Sequence, residues 1–119
     1  MIDGGGRAVF GSDLVVSSTP NIFPALSALL DRPDDPRRSI TVMEAVQMLT
    51  INGAWVMGRE KEAGSIEVGK YADFVVLDRN WFEIPPEDVA ETRVLSTVFE
   101  GKPATHIKII HLACLISLN

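Results

Sequence analysis

Gly64-Ser65-Ile66-Glu67-Val68-Gly69-Lys70-Tyr71-Ala72-Asp73-Phe74-Val75-Val76-Leu77-Asp78 is the stretch on which the fold turns. β-branched and aromatic residues fill two runs on either side of Val68-Gly69-Lys70, so the pattern predicts a short strand, a tight turn and a longer strand. Gly64 and Gly69 mark places where the backbone turns sharply. Phe74-Val75-Val76-Leu77 is apolar at four successive positions, which points to a strand covered on both faces. Lys70 reads as an exposed turn residue. Asp73 reads as the group that fixes the start of the second strand by bonding nearby backbone.

Downstream, Asn80-Trp81-Phe82-Glu83-Ile84-Pro85-Pro86 is a loop with two aromatics, either a recognition patch or, more in keeping with aromatic chemistry, rings buried against the strands. Pro86-Glu87-Asp88-Val89-Ala90 suits one helical turn, because proline and acids favour a helix N-terminus. Arg93–Phe99 is expected to be a strand, Glu100-Gly101-Lys102 a tight turn, and Pro103 the start of a partner strand. Residues 104–119 form an apolar, β-branched tail that is open to three readings: a paired strand, a docking segment or a translation artefact. Its histidines, His106 and His111, lie five residues apart, and on a strand that spacing points them to opposite faces.

Upstream, Arg59-Glu60-Lys61-Glu62 is a solvated charge run. Ala54-Trp55-Val56-Met57-Gly58 predicts a short helix stopped by Gly58. It is preceded by a longer helix opened by the capping box Thr41-Val42-Met43-Glu44, with Val42, Ala45, Val46 and Leu49 on one face and a break at Thr50-Ile51-Asn52-Gly53. Met43, Met48, Met57 and Trp55 read as core filler. Asp31–Arg38 is a charged, proline-broken linker. Ile22, Leu26, Leu29 and Leu30 share a helical face, with Pro24 tolerated in the first turn, and Ser17 and Ser18 read as caps of that helix rather than nucleophiles. Arg7-Ala8-Val9-Phe10 reads as a short buried strand ending at Gly11-Ser12-Asp13. An aspartate directly after an apolar strand stands where barrel enzymes carry catalytic groups, although aspartate is also a common cap and turn former.

At 119 residues the chain has the length of one domain, well short of the roughly 250 residues of a complete (β/α)8 barrel. A net charge of −5, with no basic run or aromatic-interleaved basic patch, argues against nucleic acid and anionic membrane as partners. The single cysteine, Cys114, excludes an internal disulfide and fits a reducing compartment. The first residues lack the pattern of a secretory signal, so the cytoplasm is the expected location.

The order G-S-I-x-x-G-K-x-A-D-F-V-V-L-D over 64–78 resembles the C-terminal signature of metal-dependent amidohydrolases, in the branch called amidohydrolase 3. Phe10-Gly11-Ser12-Asp13, Thr50-Ile51-Asn52-Gly53-Ala54 and Val98-Phe99-Glu100-Gly101-Lys102 fall in the matching order, so the resemblance spans about residues 7–103. It implies an α+β fragment: the last barrel strand and following helices over 1–60, strands of a small composite β-sandwich over 61–103, and a divergent tail over 104–119. It implies a parent enzyme that uses a divalent metal, zinc, to hydrolyse an amide-like C–N bond of a small molecule. Asp13 takes the position of the residue that binds the metal and handles the proton of the attacking water.

A hydrolytic metal site commonly needs three protein ligands and a water. This sequence contains no H-x-H, and neither histidine lies near Asp13. The expectation is therefore an incomplete site, with no tightly held metal and no turnover by the chain alone. The rival expectation is a non-enzymatic remnant that self-associates through its strands and tail, since missing neighbours leave apolar faces to cover.

Overall fold

The computed structural model describes residues 5–11, 20–106 and 114–117. Among them are three α-helices, α1 (Phe23–Leu30), α2 (Val42–Leu49) and α3 (Ile51–Val56), followed by the strands β1 (Phe74–Leu77), β2 (Val94–Phe99), β3 (Lys102–His106) and β4 (Cys114–Ser117). Short 3-10 turns at Pro36–Arg38 and Pro86–Glu91 punctuate the connections. Helices followed by an antiparallel sheet make this an α+β arrangement.

Local chemistry explains most helix boundaries. Thr41 Oγ1 accepts from the Glu44 N–H at 3.2 Å while the Glu44 carboxylate accepts from the Thr41 N–H at 2.7 Å, so the expected capping box is formed. At the other end of the pair, Gly58 adopts φ +69°, its N–H donates to the Trp55 carbonyl, and the Arg59 N–H donates to the Ala54 carbonyl. That pair of bonds is a Schellman stop. The helix it ends begins at Ile51, earlier than the Ala54 start expected from sequence, because the backbone breaks only at Thr50. At the start of α1 the Asn21 side chain accepts from the Phe23 N–H at 3.1 Å. Ser17 and Ser18 lie outside the described residues.

The sheet order is β3-β2-β1-β4, and every neighbouring pair is antiparallel. β1 is central, with β2 on one side and β4, from the tail, on the other. The apolar run Phe74–Leu77 is therefore half-buried or buried throughout, as its composition predicted. Of the tail, Cys114–Ser117 pair as a strand with β1. The β2–β3 hairpin turns through Glu100 and Gly101, both with positive φ (49° and 74°), the pattern of a type I′ turn. A register irregularity falls between Thr97 and Val98, opposite Pro103, where a residue without an N–H disturbs the ladder least.

Leu26, Leu30, Ala45, Leu77, Trp81 and Val89 form the core, with Phe10, Phe23, Ile40 and Val75 packed on its border. Trp81 is its largest member. Phe23 meets its ring edge-on at 5.6 Å, and its Nε1–H donates to Thr92 Oγ1 at 2.8 Å. Burying an aromatic of this size contributes roughly 4–6 kcal/mol as an upper bound. The two aromatics of the 80–86 loop thus divide: Trp81 is buried, whereas Phe82 is exposed.

Several expectations are corrected. Arg7–Phe10 is not a strand, because the Phe10 N–H goes to a helix carbonyl rather than to a neighbouring strand. Ser65–Val68 is not a strand either; the chain there runs through bends and a turn, tied by the Lys70 N–H to the Glu67 carbonyl. Of the four residues read as core filler only Met48 is buried, while Met43, Trp55 and Met57 are exposed. Asp73 does bond backbone, but its partner is distant in sequence. It accepts from the Glu100 N–H at 2.6 Å and so clamps the hairpin turn.

Candidate functional site

Asp13, the residue onto which catalysis and metal binding were carried by resemblance, lies outside the described residues, as does His111. The chain leading to it is described through Gly11. There the Ala8 carbonyl accepts from Asn52 Nδ2 at 2.9 Å, and the Phe10 N–H donates to the Met48 carbonyl at 3.3 Å. The Arg7 guanidinium lies 4.6 Å from the Trp55 ring centroid, a cation–π contact on the exposed side of α3. Arg7, Ala8, Glu44, Met48 and Asn52 share a hollow of about 280 Å³. Glu44 is the acid in that hollow. The backbone N–H of Thr41, and then its hydroxyl, hold the Glu44 carboxyl below its ordinary value.

Among the described residues no group of three or more histidine, cysteine, aspartate or glutamate side chains is placed to hold a metal ion. His106 stands on β3 opposite Ser96. The described residues do not by themselves fit a catalytic metal.

The turn at 65–70 brings together charged and hydroxyl groups that the sequence reading kept apart. Lys70, expected to be exposed, has a side chain only 11% exposed, with Nζ donating to Ser65 Oγ and lying 3.2 Å from Glu67 Oε1. Ser65 Oγ in turn donates to Glu67 Oε1. The Ser65 hydroxyl, followed by Lys70, keeps the Glu67 carboxyl below its ordinary range. The group that accepts the Ser65 proton, Glu67, is a carboxylate held below its ordinary range and so a weak base for activating a hydroxyl. The cluster pins the turn.

A second polar knot joins the end of β1 to β2. The Arg93 N–H donates to Asp78 Oδ1 at 2.9 Å, and Arg79 forks onto both Asp78 oxygens at 3.1 Å. Burial works to raise the Asp78 pKa, but the bonds from Arg79 and Arg93 outweigh it and lower it. Arg79 also donates to the Asp88 carbonyl, tying the knot to the 3-10 turn. Beside it an apolar groove of about 340 Å³ runs between the start of α1 and the sheet, lined by Ile22, Phe23, Val75, Leu77, Trp81 and Val94. It has the lining of a packing surface and no polar group of the kind hydrolysis needs.

Asn52 was read from sequence only as part of a helix break. No local signal reveals that its amide reaches back to residue 8, because that contact exists only once the helices have folded against the N-terminal segment.

The fold has a counterpart among solved structures. An amidohydrolase from Thermotoga maritima MSB8 shares the fold over 88% of this chain and 33% of its own, with a TM-score of 0.52 at 22% identity. An imidazolonepropionase from Bacteroides fragilis is 38% identical over 106 residues, covering 85% of this chain and 24% of its own length. An N-substituted formamide deformylase from Arthrobacter pascens is 35% identical over 106 residues, covering 85% of this chain and 20% of its own. The chain therefore spans about a fifth to a quarter of the length of these curated relatives. A family model described as the amidohydrolase family matches residues 1–105, and on that match the chain belongs to the amidohydrolase family.

Proposed function

We propose that this chain is the closing segment of a metal-dependent amidohydrolase that hydrolyses a C–N bond, other than a peptide bond, in a small molecule. The observation that carries the reading is the family match over residues 1–105, together with relatives of which this chain spans only about a fifth to a quarter. Residues 1–60 belong with the end of the catalytic barrel, 61–103 with a small β-sandwich, and 104–119 form a divergent apolar tail. Asp13 stands at the position that takes the proton of the attacking water. The metal-binding imidazoles of such an enzyme come from a part of the fold that precedes these residues. The relatives' names point to amide-like substrates: an N-substituted formamide in one, an imidazolone ring in the other.

A second reading is a non-enzymatic module that folds on its own, and the pairing of Cys114–Ser117 with β1 favours it, because the tail completes the sheet. Reading the genomic DNA upstream of the Met1 codon separates the two. An open frame encoding a strand with H-x-H supports the enzyme; a nearby in-frame stop overturns it. The purified 119-residue chain is expected to bind no stoichiometric zinc by plasma mass spectrometry and to turn over neither an N-substituted formamide nor a cyclic amide.

A further inference from the structure

The two outer strands of the sheet are not alike. In the order β3-β2-β1-β4, β3 and β4 each pair on one side only among the described residues. Successive residues of an antiparallel strand send their backbone N–H and C=O groups alternately to its two sides, so about half of those groups on an outer strand face away from the sheet. Such a row recruits another extended chain unless something blunts it. β3 is blunted. It carries Lys102 and Pro103, a charge and a residue with no N–H, and its register with β2 is interrupted beside Pro103. β4 has none of these devices: Cys114-Leu115-Ile116-Ser117 contains neither charge nor proline, and it pairs with β1 in unbroken register.

The chemistry of that edge selects its partner. A net charge of −5 opposes association of copies through most of the surface, yet residues 109–119 contain no Asp, Glu, Lys or Arg. A second β4 laid antiparallel therefore brings a matching row of donors and acceptors with no charge to bury. Antiparallel pairing of two identical strands is also two-fold, so each copy uses the same patch and the assembly closes. We propose that the outer edge of β4 is where two copies of this chain join, in one continuous sheet with the blunted β3 at both ends, so that growth stops at two. This deepens the second reading above, in which the 119 residues act as a module of their own, by naming that module's partner.

The test is sedimentation equilibrium of the 119-residue chain under a thiol reductant, from about 10 μM to about 1 mM, the range of weak interfaces. The mass is expected to rise from 13.0 kDa to twice that value and to level there. Amide hydrogen exchange at the two ends of that range is expected to show alternate amides within Cys114–Ser117 slowing roughly three- to tenfold in the dimer, as one added hydrogen bond each implies. The amides of Lys102 and Ala104 in β3 should hold their rates. Leu115 and Ile116 are neighbours, so only one of their N–H groups faces outward. Of Leu115→Pro and Ile116→Pro, the variant at that residue is expected to stay at 13.0 kDa with its circular dichroism unchanged. A monomer throughout, growth beyond two copies, or a dimer whose 114–117 amides exchange as in the monomer overturns the edge pairing, whatever the proline variants do. A monomer with a stop codon just upstream of Met1 overturns the pairing and spares the module; edge pairing with an open upstream frame overturns the module and leaves the pairing as a property of the strands.

Discussion

Replacing Gly64 with alanine tests how the helices are joined to the sheet. Gly64 has φ +84°, and a Cβ built there would stand 2.7 Å from the Ala54 Cβ and 2.9 Å from the Ile51 Cα. Two costs add. Forcing an alanine into left-handed backbone costs about 1–2 kcal/mol. Overpacking against α3 costs about 1–3 kcal/mol more, because a backbone atom cannot swing aside as a side-chain tip can. Gly69 supplies the control, since its φ is +93° and no atom lies within 4 Å of the Cβ position. Gly69→Ala should therefore show the conformational cost alone. In urea unfolding followed by circular dichroism, Gly64→Ala should lose roughly 2–5 kcal/mol and Gly69→Ala roughly 1–2. At about 4 °C per kcal/mol for a chain of this size, the first should melt roughly 8–20 °C lower than wild type. Equal losses for the two variants would refute the close approach of residue 64 to α3.

Other substitutions probe single contacts. Thr41→Ala removes the capping box and should cost about 1 kcal/mol of unfolding free energy. Glu44 has a lowered folded pKa, so its contribution is complete above its unfolded value and is lost as pH falls through the folded one. The stability gap between wild type and Glu44→Ala, measured by urea unfolding, should accordingly close on acidification below the carboxylate range. Asp73→Ala strips the carboxylate from the Glu100 N–H and should cost about 1.5–3 kcal/mol, the range for hydrogen bonds to charged groups. Glu100→Asn, at φ 49° in a type I′ turn, should stabilise thermal unfolding by a few tenths of a kcal/mol or more, since asparagine tolerates left-handed backbone. Trp81→Phe loses the buried bond to Thr92 and should cost about 1–3 kcal/mol in the same assay.

What the sequence made legible was local. The Thr41–Glu44 box, the Gly58 stop and the Glu100-Gly101 turn each depend on residues within about six positions, so their chemistry can be read from the string. Phe74–Leu77 was legible because four apolar residues in a row have few other uses. Much of what failed depended on distant partners: nothing near Asp73 announces residue 100. Lys70 failed at short range, because Ser65 lies only five residues away but a lysine at a turn is ordinarily solvated. Arg7–Phe10 has strand composition, but composition does not say whether a strand or a helix terminus will receive its N–H groups. The candidate site fared likewise. Family order pointed to Asp13, while Asn52, which grips the segment before it, came to light only from the folded contacts.

The two indoles sit in opposite surroundings. Trp81 is sealed between Phe23 and Thr92, and Trp55 stands half in water beneath Arg7. They give the molecule two optical reporters. Iodide should quench the red-shifted emission of Trp55 and spare the blue-shifted emission of Trp81. A titration that moves the first signal but not the second locates an event at the N-terminal segment rather than in the core.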